Sequence, residues 1–184
     1  MPLFPQRGNN GKKIMENFKE NSISDSSPFG RERAYNLLTQ IPDPEIPVIN
    51  IVELGIVRDA KMISETEAEI IITPTYSACP AMFNIEEDII KLFKEKGISA
   101  KVVTKMFPIW TTDWMTDEAR EKLRAYGIVP PEKGADENHL HIPKKCPRCG
   151  SENTTQISRF GSTLCKASYQ CQDCLEPFDY FKCH

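Results

Sequence analysis

The segment EAEIIITPTYSACPAMFNIEEDIIKLFKEKG, residues 67–97, carries the clearest structural pattern of this 184-residue chain. Its first seven residues are rich in isoleucine, as expected of a strand. After a loop, apolar residues recur every three or four positions, which is typical of a helix that buries one face. The apolar positions of this helix are Met82, Ile85, Ile89, Leu92 and Phe93, and Gly97 stands where a C-cap belongs. The strand–loop–helix unit therefore places Cys79 at or just before a helix N-terminus.

Outward from this unit, the pattern predicts an α+β domain with a three-stranded sheet. A short amphipathic helix begins near Arg31, and a strand over 56–63 pairs through the turn SETE, residues 64–67, with the strand that opens the segment above. A third strand follows over 100–108, and then a helix with Thr116 as its N-cap. The order helix, strand, strand, helix, strand, helix is that of a compact α+β domain.

Composition divides the chain into four segments. Residues 1–29 contain few apolar side chains, so we expect a flexible tail. Residues 30–128 form the α+β domain, and the polar, proline-marked stretch 129–145 is predicted to be a linker. Cysteine becomes abundant in 146–184, which indicates a separate small module.

Two C-x2-C pairs in the last segment predict a β zinc ribbon. Tight turns of this kind aim two sulfurs at one point, and two such turns form a tetrahedral four-thiolate site. A short module buries little apolar core, so the metal would supply much of its folding free energy. A redox or iron–sulfur site is the alternative interpretation. The predicted zinc ligands are Cys146, Cys149, Cys171 and Cys174.

Two cysteines near the end of the chain, Cys165 and Cys183, are not needed for that site. If the second C-x2-C pair turns a hairpin, the predicted register sets Tyr169 opposite Asp179 and Cys165 opposite Cys183. The two thiols would then be either small buried apolar groups or a second pair available for a metal, a disulfide or a transferred iron.

The loop DPEIP, residues 43–47, and the lone Cys79 are the polar features of the α+β domain. Prolines make this loop rigid around Asp43 and Glu45. We expect the helix N-terminus to stabilise the Cys79 thiolate and lower its pKa, which makes Cys79 a candidate metal ligand or nucleophile. In the alternative interpretation Cys79 is a buried thiol, and the carboxylates serve as turn or capping residues.

The stretch WTTDWMTDEA, residues 110–119, carries two tryptophans, Trp110 and Trp114, in a loop before a helix. Aromatic side chains often anchor interfaces, so both are candidates for a protein–protein contact. Packing of at least one of them against the core is the alternative.

Charge and motif content argue against several function classes. The formal net charge is −3, and residues 146–184 hold four Lys or Arg against four Asp or Glu, which disfavours nucleic-acid binding. Neither a Gly-rich phosphate loop nor a Cys/His pair in the α+β domain is present, so we expect no ATPase, nicotinamide-dependent or hydrolase activity. We found no signal-peptide-like or membrane-spanning run, and therefore expect a cytoplasmic protein without membrane contact.

Together these motifs resemble a known family. DPEIPVINIVELGIVRDA (43–60) with TPTYSACPAM (73–82) resembles the SufT-like domain of iron–sulfur assembly factors. With WTTDWMTDEAREKLRAYGIVPP (110–131) and GSTLCKASYQCQDCLEPFDYFKCH (161–184), residues 31–184 resemble the PaaD (PaaJ) family, small subunits encoded with the phenylacetyl-CoA epoxidase.

The resemblance implies an accessory protein of aerobic phenylacetate degradation that matures or assembles metal centres. Its partners would be the di-iron oxygenase subunits, the flavin and iron–sulfur reductase, and the iron–sulfur assembly machinery. Its cofactors would be zinc and a transient iron or iron–sulfur cluster. A structural subunit without metal delivery and a zinc-ribbon nucleic-acid binder are the alternatives.

Residue by residue, the resemblance covers both parts of the chain. Asp43, Glu45 and Cys79 match the SufT-like signature, and Glu53 stands where many relatives have Asp. The four ribbon cysteines match as well. Cys165 and Cys183 match the GSTxCKA and FDYFKC segments of the family tail, which favours a functional role for that pair.

Overall fold

The computed structural model describes residues 30–77, 79–134 and 144–182. The predicted tail 1–29, most of the predicted linker and Cys183 lie outside the described residues. No helix in these ranges has the length and hydropathy needed to cross a membrane.

The first part of the chain, which we call the body, contains three α-helices and a three-stranded sheet. β1 and β2 pair as an antiparallel hairpin, and β3 runs parallel to β2 on its other side. The predicted elements are confirmed, although the third strand ends at Thr104 instead of continuing to 108. The elements are α1 Arg31–Leu38, β1 Val57–Met62, β2 Glu67–Ile72, α2 Ala81–Glu95, β3 Ser99–Thr104, a 3-10 turn Thr112–Trp114 and α3 Asp117–Ala125.

The crossover from β2 through α2 to β3 positions the loop that carries Cys79. β2 buries every second side chain, and α2 buries the stripe predicted from its periodicity, including Ile85, Ile89 and Phe93. Gly97 adopts φ +75° after the helix, a conformation that L side chains rarely adopt. The loop between β2 and α2, which carries Cys79, lies at the edge of the sheet where β2 ends.

The second part of the chain is a four-stranded sheet, which we call the ribbon. Its strands are β4 Ile128–Val129, β5 Thr154–Ser158, β6 Lys166–Cys171 and β7 Pro177–Phe181, in the order β4-β7-β6-β5. β4 follows directly after α3 and pairs in parallel with β7. Val129, which the composition assigns to the linker, is thus already a strand residue of the ribbon sheet.

The ribbon packs directly on the body. Cys165 and Phe181 belong to the apolar core of the body, and the Phe181 ring lies 6.0 Å from the Trp110 ring, edge to face. A smaller core within the ribbon surrounds Tyr169 and Tyr180. The two sheets are therefore connected through shared apolar contacts.

The β6–β7 register differs by one residue from the predicted one. Tyr169 pairs with Phe178 instead of Asp179, and the Lys182 N–H donates to the Cys165 carbonyl (2.8 Å). The turn explains the shift, because the Cys171 N–H donates to the Glu176 carbonyl (3.0 Å). A one-residue shift in register moves every side chain of a strand to the opposite face of the sheet. The residue opposite Cys165 is therefore Lys182. The prediction that Cys165 and Cys183 face each other is wrong by one residue.

Candidate metal centres

Four cysteines of the ribbon meet at one point. The sulfurs of Cys146, Cys149, Cys171 and Cys174 all lie within 4.8 Å of one another. The Cys146–Cys174 and Cys149–Cys171 sulfurs are 3.7 and 3.5 Å apart. Tetrahedral zinc with Zn–S bonds of about 2.3 Å requires sulfurs about 3.8 Å apart, so this donor set fits a four-thiolate zinc ion.

Side chains around the four sulfurs connect the two cysteine turns. Asp173, inside the second turn, accepts hydrogen bonds from Ser151 Oγ (2.5 Å) and Asn153 Nδ2 (2.7 Å), which follow the first turn. Arg148 and Glu176 form an ion pair between the same two turns. These contacts orient the turns toward each other, as outer-shell partners do around metal ligands.

The sulfurs differ in their affinity for protons. Backbone N–H groups of Cys174 and Asp173 outweigh burial and hold the pKa of Cys171 at about 7. The Ser151 N–H lowers the pKa of Cys149, but the neighbouring thiols of Cys174 and Cys171 raise it to about 12. A bound metal would displace the remaining protons, since thiolates are the ligands.

The DPE loop of the body is held in shape by a buried carboxylate. Asp43 is 6 % exposed, and its Oδ1 accepts hydrogen bonds from the N–H groups of Glu45 (2.9 Å) and Ile46 (2.8 Å). Burial raises the pKa of Asp43, although these two hydrogen bonds oppose the rise. The arrangement presents the Glu45 side chain beside the loop of Cys79.

Cys79 lies two residues before the first residue of α2 and is half-buried. Burial raises the pKa of its thiol, and the carboxylates of Glu45 and Asp43 add to the rise. Hydrogen bonds from the Ala81 and Met82 N–H groups lower the pKa, as predicted for a helix N-terminus. Their effect is smaller than the rise, so the pKa of Cys79 stays above its ordinary value. The predicted lowering is therefore wrong, because the helix effect is outweighed by burial and two nearby negative charges.

Cys165 joins this loop from the ribbon. Its Sγ donates a hydrogen bond to Glu45 Oε2 (3.3 Å) and shares another with Thr163 Oγ1 (3.0 Å). Burial raises the pKa of Cys165 to about 12, with Glu45 adding to the rise. Sequence reasoning missed this contact because 120 positions separate the two residues and no spacing rule connects them.

Models of known protein families match both the body and the ribbon. The family of iron–sulfur cluster assembly proteins matches residues 31–102, and the PaaD zinc beta ribbon domain matches residues 130–182. A putative 1,2-phenylacetyl-CoA epoxidase subunit of Escherichia coli K12 is 52 % identical over 148 residues, which cover 80 % of this chain and 89 % of that protein. The chain belongs to the PaaD family of phenylacetyl-CoA epoxidase subunits.

Three further proteins are similar to half of this PaaD family member. An Fe–S protein maturation auxiliary factor of Porphyromonas gingivalis is 32 % identical over 94 residues, or 50 % of this chain and 89 % of that protein. A DUF59 domain from Bacillus anthracis is 27 % identical with a TM-score of 0.47 and covers 50 % of this chain and 90 % of its own. A conserved hypothetical protein of Thermotoga maritima is 28 % identical with a TM-score of 0.44, covering 50 % and 92 %.

Glu53 of this PaaD family member contacts α3 and the loop that follows the DPE motif. Its carboxylate accepts a hydrogen bond from the Asn50 N–H (3.1 Å) and pairs with Lys122 of α3 (2.6 Å). The Thr116 N–H donates to the Glu53 carbonyl (2.9 Å), which ties the N-terminus of α3 to the same turn. Glu53 therefore joins α3 to the loop that follows the DPE motif.

The two tryptophans of this PaaD family member have different surroundings. Trp110 is 1 % exposed, donates a hydrogen bond to the Leu54 carbonyl (3.1 Å) and packs on Phe181. Of the two alternatives, packing against the core is therefore confirmed for Trp110, and a protein–protein contact of this residue is contradicted, because the ring fills the core between body and ribbon. Trp114 is partly buried, and the Arg58 guanidinium lies 3.3 Å from its ring centroid.

Proposed function

We propose that this protein is a non-catalytic accessory subunit of the phenylacetyl-CoA 1,2-epoxidase that acts in the maturation or assembly of its iron or iron–sulfur centres. The main support is the contact of Cys165 with Glu45, beside Cys79. It brings a ribbon thiol to the carboxylates and the cysteine of the part that matches iron–sulfur cluster assembly proteins. The similarity to the Escherichia coli epoxidase subunit supports the epoxidase as the enzyme whose metal centres are matured.

In this proposal the two parts of the chain have separate tasks. A zinc ion held by the four ribbon cysteines stabilises the ribbon, which docks on the oxygenase or reductase subunits. Cys79, with Cys165 and Cys183, transiently ligates the iron or cluster that is passed on, since thiolates are the usual ligands of such cargo. The iron–sulfur assembly machinery would be the source of that cargo.

Anaerobic reconstitution with iron and sulfide tests the maturation role. The wild-type chain should take up iron beyond its ribbon metal and show cluster absorption bands, and Cys79→Ser should lose most of that iron while retaining zinc. Active epoxidase should then form faster with the wild type than with the variant. Uptake of zinc only by both proteins would contradict the proposal.

A structural subunit of the oxygenase remains the second candidate, and the burial of Cys165 favours it. This thiol is 6 % exposed and hydrogen-bonded, as expected of a packing residue. Under this alternative the protein would co-purify at fixed stoichiometry with metal-replete epoxidase. Cys79→Ser would then leave the iron content of the epoxidase unchanged.

A further inference from the structure

β3 forms one edge of the body sheet. Within the described ranges the strand order is β1-β2-β3, so β3 pairs with β2 on one side and with no strand on the other. The Ser99 N–H donates to the Thr66 carbonyl (2.7 Å), and the Lys105 N–H donates to the last residue of β2 (2.8 Å). Because backbone groups alternate in direction along a strand, the residues in between direct their N–H and C=O groups to this open edge. These residues are Ala100, Val102 and Thr104.

The helix beside the open edge has an exposed apolar flank. α2 packs on β3, whereas α1 packs on β1 at the other side of the sheet. Asp88, Lys91 and Glu95 line a groove against the loop that follows α1, so they mark the flank of α2 that faces α1. Phe83 and Ile90, which are seven residues apart, lie on the opposite flank, and both are exposed. This flank is therefore on the side of the open edge of β3.

The loop after β3 extends this apolar surface. Met106, Phe107 and Ile109 are exposed, and Phe107 is 79 % exposed. Met106 and Ile109 also line a groove with Tyr76 and Trp110. Exposed apolar side chains that lie this close together usually mark a site of protein–protein interaction.

The charge of β3 indicates the chemistry of the partner. Residues 99–112 contain two lysines, Lys101 and Lys105, and no acidic residue. Ala100 and Val102 pack against the core of the body, so Lys101, which is 73 % exposed, points to the opposite face of the sheet. Pairing of β3 with the β3 of a second copy would bring lysines together on that face, which is destabilising. An acidic segment of another protein fits this edge better.

We propose that the open edge of β3 and the exposed flank of α2 bind an extended segment of a partner protein as an added strand, in which apolar and acidic residues alternate. The backbone of this segment pairs with the outward N–H and C=O groups of β3. Its apolar side chains lie against Phe83 and Ile90, and its carboxylates face Lys101. The surface is independent of the maturation role, because a maturation factor and a structural subunit both need to hold a partner.

The test uses the full chain with zinc in the ribbon and a fluorescent probe peptide of about eight residues in which valine and glutamate alternate. The wild type should bind the peptide, and hydrogen exchange of the three outward N–H groups of β3 should slow. Thr104→Pro removes one outward N–H and no bond to β2, so it should weaken binding about tenfold. Thr104→Ala is the matched control, since it keeps that N–H, and it should bind like the wild type.

Lys101→Glu tests the charge of the edge. This variant should bind the valine–glutamate peptide about fivefold more weakly and should bind a valine–lysine peptide better than the wild type does. Lys61→Glu is the control. Lys61 pairs with the same Glu69 carboxylate as Lys101 (3.0 Å) but belongs to β1, so its variant should bind like the wild type.

Three outcomes would overturn the added strand. The first is no binding of the valine–glutamate peptide by the wild type up to about 1 mM. The second is equal binding by Thr104→Pro and Thr104→Ala with unchanged circular dichroism. The third is a dimer of the wild type that Thr104→Pro dissociates, because a second copy would then occupy the edge. If Thr104→Pro does not fold, Lys101→Glu and the two peptides decide, and an unchanged peptide preference contradicts the proposal.

Discussion

At the scale of single residues, Asp43 shows how the DPE loop is built. One carboxylate oxygen satisfies two backbone N–H groups of a loop that turns back on itself, since the Asp43 N–H donates to the Ile49 carbonyl (2.9 Å), and the side chain is buried in the process. A buried N–H group without a partner costs about 1–3 kcal/mol, so the acceptor matters more to the fold than the charge does. The charge itself is disfavoured there, because burial raises the pKa of Asp43.

Asp43→Asn and Asp43→Ala should therefore differ in stability. The Asn variant retains an oxygen acceptor, and its free energy of unfolding at pH 7 should lie within about 1 kcal/mol of the wild type, whereas the Ala variant should lose about 2 kcal/mol. Because the folded-state pKa exceeds the ordinary 3.8, the Asp43 contribution to stability falls as the pH rises through that pKa. Urea denaturation of the three proteins from pH 4 to 8 measures both effects, and an equal loss in Asn and Ala would contradict the acceptor role.

At the scale of elements, the β6–β7 hairpin connects the four-cysteine cluster to the core of the body. Cys171 ends β6 beside the metal-binding turn, and Phe181 ends β7 against the Trp110 ring. Each of these two strands therefore has one end near the four-cysteine cluster and the other end in contact with the body. Metal occupancy should consequently affect the surroundings of Trp110.

Removal of the ribbon metal should therefore change the fluorescence of Trp110. Without the metal, the short ribbon loses much of its folding free energy, Phe181 no longer covers the tryptophan, and emission should shift to longer wavelength. The measurement uses Trp114→Phe, so that Trp110 is the remaining tryptophan, with a chelator added and zinc then restored. An unchanged spectrum after verified metal loss would show that the ribbon holds its place without metal.

At the scale of the whole molecule, the core of the body includes residues of the ribbon. β4 follows α3 directly and pairs with β7, while Cys165 and Phe181 pack among body residues. The molecule should for that reason unfold as one cooperative unit, although its two sheets are separate.

Phe181→Ala should destabilise the whole chain. Truncating a fully buried phenylalanine costs about 3–5 kcal/mol, and here the cavity would open between the two parts. Phe83→Ala is the control, since Phe83 is 67 % exposed on α2 and its loss should change stability by about 0.5 kcal/mol or less. Calorimetry should show a single transition at lower temperature for Phe181→Ala. A variant in which only a minor transition moves would indicate that the ribbon unfolds independently.

The order of residues was enough to predict the helices and strands of the body, the Thr116 N-cap, Gly97 at the end of α2 and the four cysteines that cluster in the ribbon. Periodicity, the Thr116 N-cap and Gly97 are local signals, and C-x2-C spacing describes a local turn. Each depends on residues within a few positions of one another, so a linear pattern contains the information.

How the two parts of the chain meet could not be predicted from the sequence and follows from the folded molecule. The contact of Cys165 with Glu45, the burial of Trp110 under Phe181 and the register of β6 and β7 depend on pairs that are distant in the chain or on the geometry of one turn. The pKa of Cys79 shows the same limit, since its helix N-terminus is visible in the sequence, whereas burial and the Glu45 and Asp43 charges arise only on folding. The effect of residues close in sequence on a pKa could be predicted from the order of residues. The final pKa also depends on the neighbours that folding brings together.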